Sequence, residues 1–249
     1  MNTVALLPAR LESTRIKKKL LKKIKNIPLI LHTANRVKLC TLVNRVIICT
    51  DSQEIKKLLE KNNFEVLMTQ KKFKNGTERI ASIIKKIKAD LIIDVHADEG
   101  ILNPNNLTKL INFHKKNKHF DIIVPHKKSR DPRDENVVKL VFSSDNKVLY
   151  FTRSKAPYPY KSRTNFFHHL DIISFKPKAL KSFGKMKPSN LESIEGIELL
   201  RALENNLKIG TFEIPTKTFS INTPSDLISA KKIISSDNFL KKYIDKIKI

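Results

Sequence analysis

Residues 3–8 read TVALLP, and this short apolar run decides the fold. It has no polar face, which is typical of a strand that is buried on both sides in a parallel sheet. Four similar runs follow it, at residues 45–50 (RVIICT), 64–68, 90–95 (DLIIDV) and 121–125. Segments with the apolar spacing of helices separate them, at residues 28–39, 53–61, 77–88 and 104–116. This alternation predicts an α/β fold whose central sheet is mostly parallel, with right-handed crossovers.

The second half of the chain is less regular. Its predicted elements are a hairpin of residues 137–142 and 148–151, a Pro- and Tyr-bearing loop at 155–165, a strand at 166–175, a helix at 191–205, a strand at 209–214, a helix at 223–234 and a basic C-terminal helix. We interpret residues 130–187 as an insertion on a single domain that covers residues 1–249. The insertion carries Phe166, Phe167 and Phe175, which need a cover, and a twofold partner is a common one.

Composition excludes several classes of protein. The chain has 249 residues, of which 40% are hydrophobic and 29% charged, as is usual for a globular protein with a full core. No apolar run approaches the roughly 18–20 residues that span a bilayer, and the N-terminus lacks the apolar segment of a signal peptide. Cys40 and Cys49 form neither a disulfide framework nor a metal-binding spacing. We therefore expect a cytoplasmic protein without membrane insertion.

The net charge of +25 raises the question of nucleic-acid binding. Of the 49 basic residues, however, 39 are lysines spread over the whole chain, Gly is reduced to 5 and Trp is absent. This pattern is typical of A/T-rich codon usage. Nucleic-acid binding is therefore a minor hypothesis, and no such partner is expected. The ten arginines are more informative, because a retained Arg indicates a need for its planar guanidinium group.

The first candidate site is the loop of residues 7–15 (LPARLESTR), which leaves the first strand. Ligands of open α/β sheets bind beyond the carboxyl ends of the strands. Arg10, Arg15 and Lys19 are suited to hold a triphosphate there. Ser13 adds a hydrogen-bond donor. The segment has no glycine, so it is neither a Walker loop nor a dinucleotide fingerprint, and the alternative is a solvated basic loop.

The second candidate is residues 75–79 (NGTER). Gly76 before a helix start lets backbone amides approach a ligand, and Thr77 can cap the helix. The alternative is a plain capped helix without a ligand. Asp51 is placed in a similar way to cap the helix at residues 53–61.

The third candidate is residues 94–99 (DVHADE), which follow the fourth strand. A carboxylate at the position of Asp98 can hold a magnesium ion that bridges phosphates. The alternative is an ordinary acidic residue of a turn. Asp94, His96 and Asp98 alternate, so a transition-metal site is also conceivable, although no further ligand is identifiable.

The fourth candidate is residues 188–201 (PSNLESIEGIELLR), with an acidic residue at every third position. Glu192, Glu195 and Glu198 would share part of one helix face. Clustered carboxylates repel one another, so they are expected to bind a polyhydroxylated sugar or to pair with arginines. A solvated acidic face is the alternative.

Taken in this order, the segments resemble the 3-deoxy-manno-octulosonate cytidylyltransferases, or CMP-KDO synthetases, from Val4 to about Ala230. The matching segments are residues 8–15 (family pattern PAR-x-x-STR), 75–79 (SGT-[DE]-R), 94–100 (N-x-Q-G-D-E-P), 136–139 (N-x-V-K), 150–157 (Y-F-S-R-x-x-I-P) and 188–201 (P-S-x-L-E, ending in E-Q-L-R). The resemblance implies a Rossmann-like nucleotide-diphosphosugar transferase fold with a dimerisation insertion. It implies a homodimer that uses Mg²⁺ to convert CTP and KDO, or a related acidic sugar of eight or nine carbons, into the CMP-sugar and pyrophosphate, for lipopolysaccharide or surface polysaccharide synthesis.

The resemblance also implies roles for individual residues. The catalytic group is Arg10, Arg15, Lys19 and Asp98. The nucleotide-binding group is Pro8, Ala9, Ser13, Gly76, Thr77 and His96. The sugar-binding group is Arg79, Arg153, His169, Glu195 and Glu198. The metal ligands are Asp98 and Asn222.

Several positions depart from the family pattern. They are Lys17-Lys18 for P-G, His96-Ala97 for Q-G, Asp171 and Ile173 within H-[IL]-G-[IL]-Y, Leu199 for Gln in E-Q-L-R, and Asn222 for Asp in V-D-T-P. An amide is a weaker magnesium ligand than a carboxylate. Two hypotheses remain open: the substrate is a related sugar, such as an amino-substituted ulosonic acid, or the protein is a catalytically impaired nucleotide-binding homologue.

Overall fold

A seven-stranded sheet forms the centre of the computed structural model, which describes residues 1–12, 16–71, 73–129, 133–216 and 218–248. In spatial order its strands are β13 (Ile209–Gly210), β7 (Ile122–Ile123), β12 (Ile172–Phe175), β6 (Leu91–Val95), β1 (Thr3–Ala9), β4 (Arg45–Thr50) and β5 (Glu65–Met68). Neighbouring strands pair in parallel except β12, which is antiparallel to both β6 and β7. The prediction of a mostly parallel central sheet is confirmed.

A second, antiparallel sheet occupies much of the predicted insertion. Its strands, in the spatial order β10-β9-β11-β8, are β8 (His126–Ser129), β9 (Lys139–Phe142), β10 (Val148–Thr152) and β11 (Phe166–His169). The predicted hairpin is confirmed as β9 and β10. The single strand predicted at 166–175 is wrong, because the chain turns at Leu170 and Asp171 and continues as β12 in the other sheet. The strand predicted at 121–125 is shorter in the structure, where it is β7, and β8 begins beyond it at His126. A short ribbon of β2 (Lys23–Ile24) and β3 (Ile27–Pro28) completes the strands of the described residues.

Eight α-helices lie in the described part of the chain. They are α1 (Leu29–Lys38), α2 (Gln53–Lys61), α3 (Gly76–Ser82), α4 (Pro104–Lys116), α5 (Pro177–Phe183), α6 (Asn190–Glu195), α7 (Leu199–Glu204) and α8 (Pro224–Ser235). Short 3₁₀ turns lie at Lys19–Leu21, Ile84–Lys86, Leu240–Lys242 and Ile244–Lys246. Not one of these described helices is both long and apolar enough to cross a bilayer.

Three of the predicted helices are corrected by the structure. The helix expected at 77–88 ends at Ser82 and continues only as a 3₁₀ turn, and the basic C-terminal helix is two such turns. The helix expected at 191–205 is broken into α6 and α7. The break lies at Gly196, whose φ of 64° is left-handed, a conformation that glycine adopts without steric cost and that commonly ends a helix.

Both faces of the central sheet are covered. On β1, Ala5 and Leu7 face one apolar cluster, which contains side chains of α1, α2, α4 and α8. Val4 and Leu6 face the other cluster, which contains side chains of α3, α5 and α7. Because successive side chains of a strand point to opposite faces, a strand covered on both sides is apolar throughout. This is the physical reason for the sequence TVALLP.

A buried arginine fastens the helices on the second face together. Arg201 of α7 donates from Nε and Nη2 to the two carboxylate oxygens of Glu192 on α6, at 2.7 and 2.6 Å. Its Nη2 also donates to Glu78 Oε1 on α3, at 2.9 Å. The side chain is 1% exposed and its guanidinium lies 4.9 Å from the centre of the Phe183 ring. One planar group therefore fixes three helices at once.

We predict that Arg201→Met lowers the free energy of unfolding by about 3 kcal/mol, because it leaves two largely buried carboxylates without their fully buried cation. Arg201→Lys should lie between this variant and the unchanged protein, since an ammonium cannot form the two-pronged contact. The matched control is Arg45→Met, which removes a two-pronged pair with Glu65 that is 42% exposed on each side and should cost about 1 kcal/mol or less. Urea denaturation measures all three, and equal losses for Arg201→Met and Arg45→Met would contradict the prediction.

Candidate active site

A cavity of about 440 Å³ opens at the carboxyl ends of β1 and β6. This is the edge at which open α/β sheets bind ligands. The structure brings most of the predicted site residues to its wall: Pro8, Arg10, Lys19, Gly76, Arg79, His96, Asp98, Arg153, His169, Glu198 and Asn222. Phe73, Lys74 and Asn75 also line it, and the sequence analysis did not assign them a role.

Three other predicted site residues of the described ranges do not line this cavity with their side chains. Ser13 and Arg15 are outside the described residues. Ala9 is fully buried in the core. Thr77 is also fully buried, and Glu195 accepts hydrogen bonds from the Thr152 hydroxyl at 2.7 Å and the Arg153 backbone N–H at 2.9 Å. The side chains of these last three residues therefore support the wall from behind instead of lining it.

Lys19, Asp98 and Asn222 converge at one point of the wall, although they are far apart in the sequence. Lys19 Nζ forms an ion pair with Asp98 Oδ2 and lies 3.3 Å from Asn222 Oδ1. The Lys19 and Asp98 side chains are only 13% and 16% exposed. A carboxylate oxygen and an amide oxygen thus lie close to a common point. Hard oxygen donors of this kind, one or two in number, are how proteins bind Mg²⁺ together with substrate phosphates.

The transition-metal alternative receives no support from the described part of the chain. Asp94, His96 and Asp98 alternate along the chain, but no group of three His, Cys, Asp or Glu side chains there is placed to hold a metal ion. Instead, Asp94 is fully buried on the sheet and Asp98 contacts Lys19. The donor set at Asp98 and Asn222 consists of oxygen atoms alone, which suits magnesium better than a transition metal.

The approach of α3 to β1 requires the glycine of the NGTER segment. A Cβ atom on Gly76 would lie 3.0 Å from Pro8 Cγ, closer than side chains normally pack. The helix cap is Asn75 and not Thr77, because Asn75 Oδ1 accepts the Glu78 N–H at 2.8 Å. Glu78 in turn accepts the Lys74 N–H at 3.0 Å. The loop at the cavity wall is therefore held by the same Glu78 that pairs with Arg201.

Arg79 lines the cavity, but its guanidinium already has protein partners. Nη2 donates to Asp51 Oδ2 at 2.8 Å, and Nη1 donates to Thr69 Oγ1 at 2.5 Å. The prediction that Asp51 caps α2 is therefore wrong. The cap is Ser52, whose hydroxyl accepts the Ile55 N–H at 3.2 Å. Arg79 ties α3 to the ends of β4 and β5 and so shapes the cavity.

Arg153 has a similar place on the opposite wall. Its Nε donates to the Glu195 carbonyl and its Nη1 to the Glu135 carbonyl, both at 2.8 Å. Because the Glu195 carboxylate also binds the Arg153 backbone, this residue pair locks α6 to the second sheet. A substrate would meet an arginine that is already fixed in orientation.

The three glutamates of the fourth segment do not share a helix face, since the chain breaks at Gly196. Glu192 pairs with Arg201, Glu195 binds Thr152 and Arg153, and Glu198 contacts Thr77. The solvated acidic face is thus excluded, and pairing with arginine holds for Glu192. Of these three residues, Glu198 is the one that lines the cavity.

Two departures from the family pattern contact each other. Asp171 Oδ1 lies 3.7 Å from His96 Nδ1 and 3.4 Å from His169 Nδ1, and Asp171 Oδ2 accepts the Ser220 hydroxyl. Burial opposes ionisation of Asp171, but the two imidazoles hold its pKa below the usual range. Burial likewise opposes the charged form of His96, yet Asp171, Asp94 and Asp98 raise its pKa to about 9. The two side chains therefore compensate each other's charge.

A second cavity of about 390 Å³ shares a wall with the first. His169, Asp171 and Asn222 line both cavities. Glu99 and Lys127 belong to the second one, and the sequence analysis missed them. Burial, and after it the charge of Asp171, raises the pKa of Glu99 to about 8, while burial lowers the pKa of Lys127. Glu99 could have been inferred from its position next to Asp98 in the sequence. No sequence pattern marks Lys127 as a site residue.

The chain is similar to known cytidylyltransferases over nearly its whole length. A protein-family model described as "Cytidylyltransferase" matches residues 4–209. The 3-deoxy-manno-octulosonate cytidylyltransferase of a Chlorobium phaeobacteroides strain is 33% identical over 244 residues, which cover 95% of this chain and 98% of the relative. The protein of the same name from a Nitratiruptor species is 36% identical over 239 residues, covering 93% and 98%. The resemblance inferred from the motifs is confirmed.

Solved structures show the same fold. A CMP:2-keto-3-deoxy-manno-octonic acid synthetase complexed with CTP matches with a TM-score of 0.90 and 24% identity, covering 94% of this chain and 99% of that one. A cytidylyltransferase from Leptospira borgpetersenii matches with a TM-score of 0.65 and 15% identity, covering 99% and 97%. The predicted Rossmann-like nucleotidyltransferase fold is confirmed by these matches.

Proposed function

The chain belongs to the cytidylyltransferase family, and from that premise we propose that it activates 3-deoxy-manno-octulosonate (KDO), or a closely related acidic sugar, with CTP. The proposal rests on the convergence of Lys19, Asp98 and Asn222 at the cavity wall. The names of the relatives support the substrates. The product would supply the synthesis of lipopolysaccharide or a surface polysaccharide, and CTP places the reaction in the cytoplasm.

In the proposed reaction the anomeric hydroxyl of the sugar attacks the α-phosphorus of CTP. An oxygen–phosphorus bond forms, the bond to the bridging oxygen of pyrophosphate breaks, and the hydroxyl proton is released. Arg10 and Lys19 at the wall neutralise phosphate charge. We assign the nucleotide to the side of Gly76 and the sugar to the side of His169 and Asp171, so that the common wall aligns the two reactants.

We also propose that Mg²⁺ takes part, held by Asp98 and Asn222. Their two oxygen atoms fit this ion, because Mg²⁺ in nucleotide sites uses few protein ligands and completes its shell with phosphate and water oxygens. When bound, the ion would neutralise the triphosphate and polarise the reacting phosphate. The protein's part is to hold the two oxygens close together, with Lys19 beside them.

The structure favours an altered sugar over an impaired enzyme. Here the replaced residues His96 and Asp171 face each other, and Asp171 also binds His169 and Ser220. The substitutions thus form a connected polar wall, which we interpret as adapted to its own ulosonic acid.

We predict pyrophosphate release when the protein is given CTP, Mg²⁺ and an acidic ulosonic sugar, with CTP preferred over UTP. A panel that includes KDO, an amino-substituted KDO and a nine-carbon ulosonic acid identifies the substrate. CTP without sugar is the control. Binding of CTP with no turnover on any of the sugars would favour the impaired homologue, and a salt-dependent shift of RNA or DNA would favour the nucleic-acid hypothesis.

We predict that Asp98→Ala abolishes magnesium-dependent turnover and leaves the fold intact, because the residue lies in a turn and carries the only charge of the proposed ligand pair. Asn222→Asp should lower the Mg²⁺ concentration needed for half-maximal turnover, since a carboxylate binds the ion better than an amide. The control Asp145→Asn, in the exposed β9–β10 turn, should behave as the unchanged protein. Titration of turnover with Mg²⁺ tests all three. If both site variants kept the magnesium dependence of the unchanged protein, the metal would bind at a different site.

We further propose that the chain forms a homodimer through the insertion. Phe166 and Phe175 are buried by the chain itself, so they are not the side chains that need a partner. The exposed apolar surface is instead formed by Leu149, Tyr158 and Tyr160, which are 54%, 78% and 84% exposed. Because a net charge of +25 opposes association, the contact must be locally apolar or paired with acidic residues, and these three side chains supply the apolar groups.

We predict a dimer by light scattering at micromolar concentration and moderate salt. The double variant Tyr158→Ser, Tyr160→Ser should weaken the dimer at least about tenfold, since buried aromatic side chains dominate interfaces. The matched control is Ile228→Ser, which removes a side chain that is 57% exposed on α8 and should leave the dimer unchanged. A monomeric unchanged protein would refute the proposal.

A further inference from the structure

Beneath the larger cavity, one hydroxyl lies between two carboxyl groups. The Thr77 hydroxyl oxygen on α3 is 3.2 Å from Asp94 Oδ2 on β6 and 2.8 Å from Glu198 Oε1, just before α7. Thr77 and Asp94 are fully buried, and Glu198 lines the cavity. Asp94 has no role in the reaction proposed above.

The strand pattern places Asp94 at a core position. Side chains of β6 alternate, with Ile93 and Val95 in one apolar cluster and Ile92 in the other. Asp94 therefore faces the same layer as Ile92, where α3 and α7 pack. Its second oxygen, Oδ1, is buried and has no hydrogen-bond partner among the described residues. An ionised carboxylate in this position would be poorly solvated.

The protonation state of the Asp94–Thr77–Glu198 cluster follows from the number of hydrogen atoms that can lie between its oxygen atoms. A hydroxyl has one hydrogen and can donate to one acceptor only. With both carboxyl groups ionised, one of them would face a lone pair of Thr77 without a hydrogen between the two oxygens. The arrangement is satisfied when one carboxyl group keeps its proton and donates to the Thr77 oxygen, while the Thr77 hydroxyl donates to the other.

Several observations place that proton on Asp94. Burial raises the pKa of both acids, that of Asp94 to about 7. Glu198, however, borders the cavity and is favoured in its ionised form by both the hydroxyl and the backbone N–H of Thr77. Of these two hydrogen bonds, Asp94 has only the one with the hydroxyl.

The other ionisable groups around Asp94 act in both directions. His96 at the end of β6 favours its ionised form, whereas Glu198 and Asp171 oppose it. On β4, Cys49 is a buried thiol whose pKa burial raises, so it adds no charge. These contributions oppose one another, and burial remains the largest cause.

We propose that Asp94 is a positioning residue: as a neutral acid it donates to Thr77, Thr77 donates to Glu198, and Glu198 is thereby held as an acceptor for a hydroxyl group of the sugar. Glu198 lines the cavity, and its Oε2 is buried there without a hydrogen-bond partner among the described residues, so the wall keeps one unused acceptor at this point. The assignment of the donor to the sugar rests on the proposed function.

The proposal has a consequence for pH. When Asp94 loses its proton, Thr77 faces two anionic groups and can no longer join them, so Glu198 loses its fixed orientation. In the unchanged protein kcat/KM for the sugar should fall about tenfold per pH unit above the ionisation of one such group. In Asp94→Asn the amide donates at every pH, and this alkaline decline should be absent.

The first experiment compares pH profiles of kcat/KM for the unchanged protein, Asp94→Asn and the control Glu65→Gln. Glu65 is a half-exposed carboxylate on β5 that pairs with Arg45, and its removal should leave the profile of the unchanged protein. Thr77→Val, which has the same shape but no hydroxyl, should lower kcat/KM at least about tenfold, and Thr77→Ser should restore it. An identical alkaline limb in the unchanged protein and Asp94→Asn would overturn the proposal.

The second experiment needs no substrate and so separates this inference from the proposed function. The pKa of Asp94 is raised in the folded chain from 3.8 to about 7, so the folded state binds the proton more tightly than the unfolded state. The free energy of unfolding should therefore fall as pH rises through that window, and Asp94→Asn should lack this part of the slope. The infrared spectrum at pH 6 should also show a carboxylic-acid band that Asp94→Asn removes.

Equal slopes of the unfolding free energy, with no acid band lost in Asp94→Asn, would show that Asp94 is ionised and would refute the proposal. A slope difference and a lost band, together with no turnover on any sugar, would support a neutral Asp94 and refute the proposed function alone.

Discussion

The two-carboxylate contact of Arg201 is the constraint on which the site depends. A buried guanidinium is tolerated only when its charge is neutralised and its donors are used. Glu192 and Glu78 do this from α6 and α3. The consequence reaches the cavity, because Glu78 also binds the loop before Gly76, and α7 follows directly on Glu198. A single cation in the protein interior thus sets the distance between the wall at Gly76 and the wall at Glu198.

The chain's net charge of +25 is no guide to the charge around the cavity. Its lysines are spread over the whole chain, whereas two cations at the cavity, Arg79 and Lys19, are bound to acids. Arg79 is held by Asp51, Lys19 by Asp98, and the imidazoles of His96 and His169 face Asp171. Each cation is therefore fixed before a ligand arrives, which favours catalysis because little reorganisation is needed at the moment of reaction.

Much of the fold was predictable because its signals are local. A strand that is buried on both faces is apolar throughout, and a helix start shows in its capping residues. The predictions that failed were those that rested only on the spacing of residues along the chain. The apolar run at 166–175 belongs to two sheets, and the helix at 191–205 is broken at Gly196, whose presence was the signal. The acid–imidazole contact of Asp171 with His96 joins residues 75 positions apart, and no local pattern reports such a pair.

Two hydroxyl groups that lie between carboxyl groups limit the negative charge of the cavity walls. Asp98 pairs with Lys19, and Asp171 faces two imidazoles. Counted as ionised, however, Asp94, Glu99 and Glu198 would be negative charges at or behind the cavity walls without an ion pair among the described residues. Thr77, however, lies between Asp94 and Glu198, and Ser220 lies between Glu99 and Asp171. A hydroxyl donates one hydrogen only, so each of these pairs is satisfied when it retains one proton. The raised pKa values of Asp94, to about 7, and Glu99, to about 8, agree with this arrangement. Burial thus leaves these walls with oxygen acceptors but with two negative charges fewer than the sequence suggests.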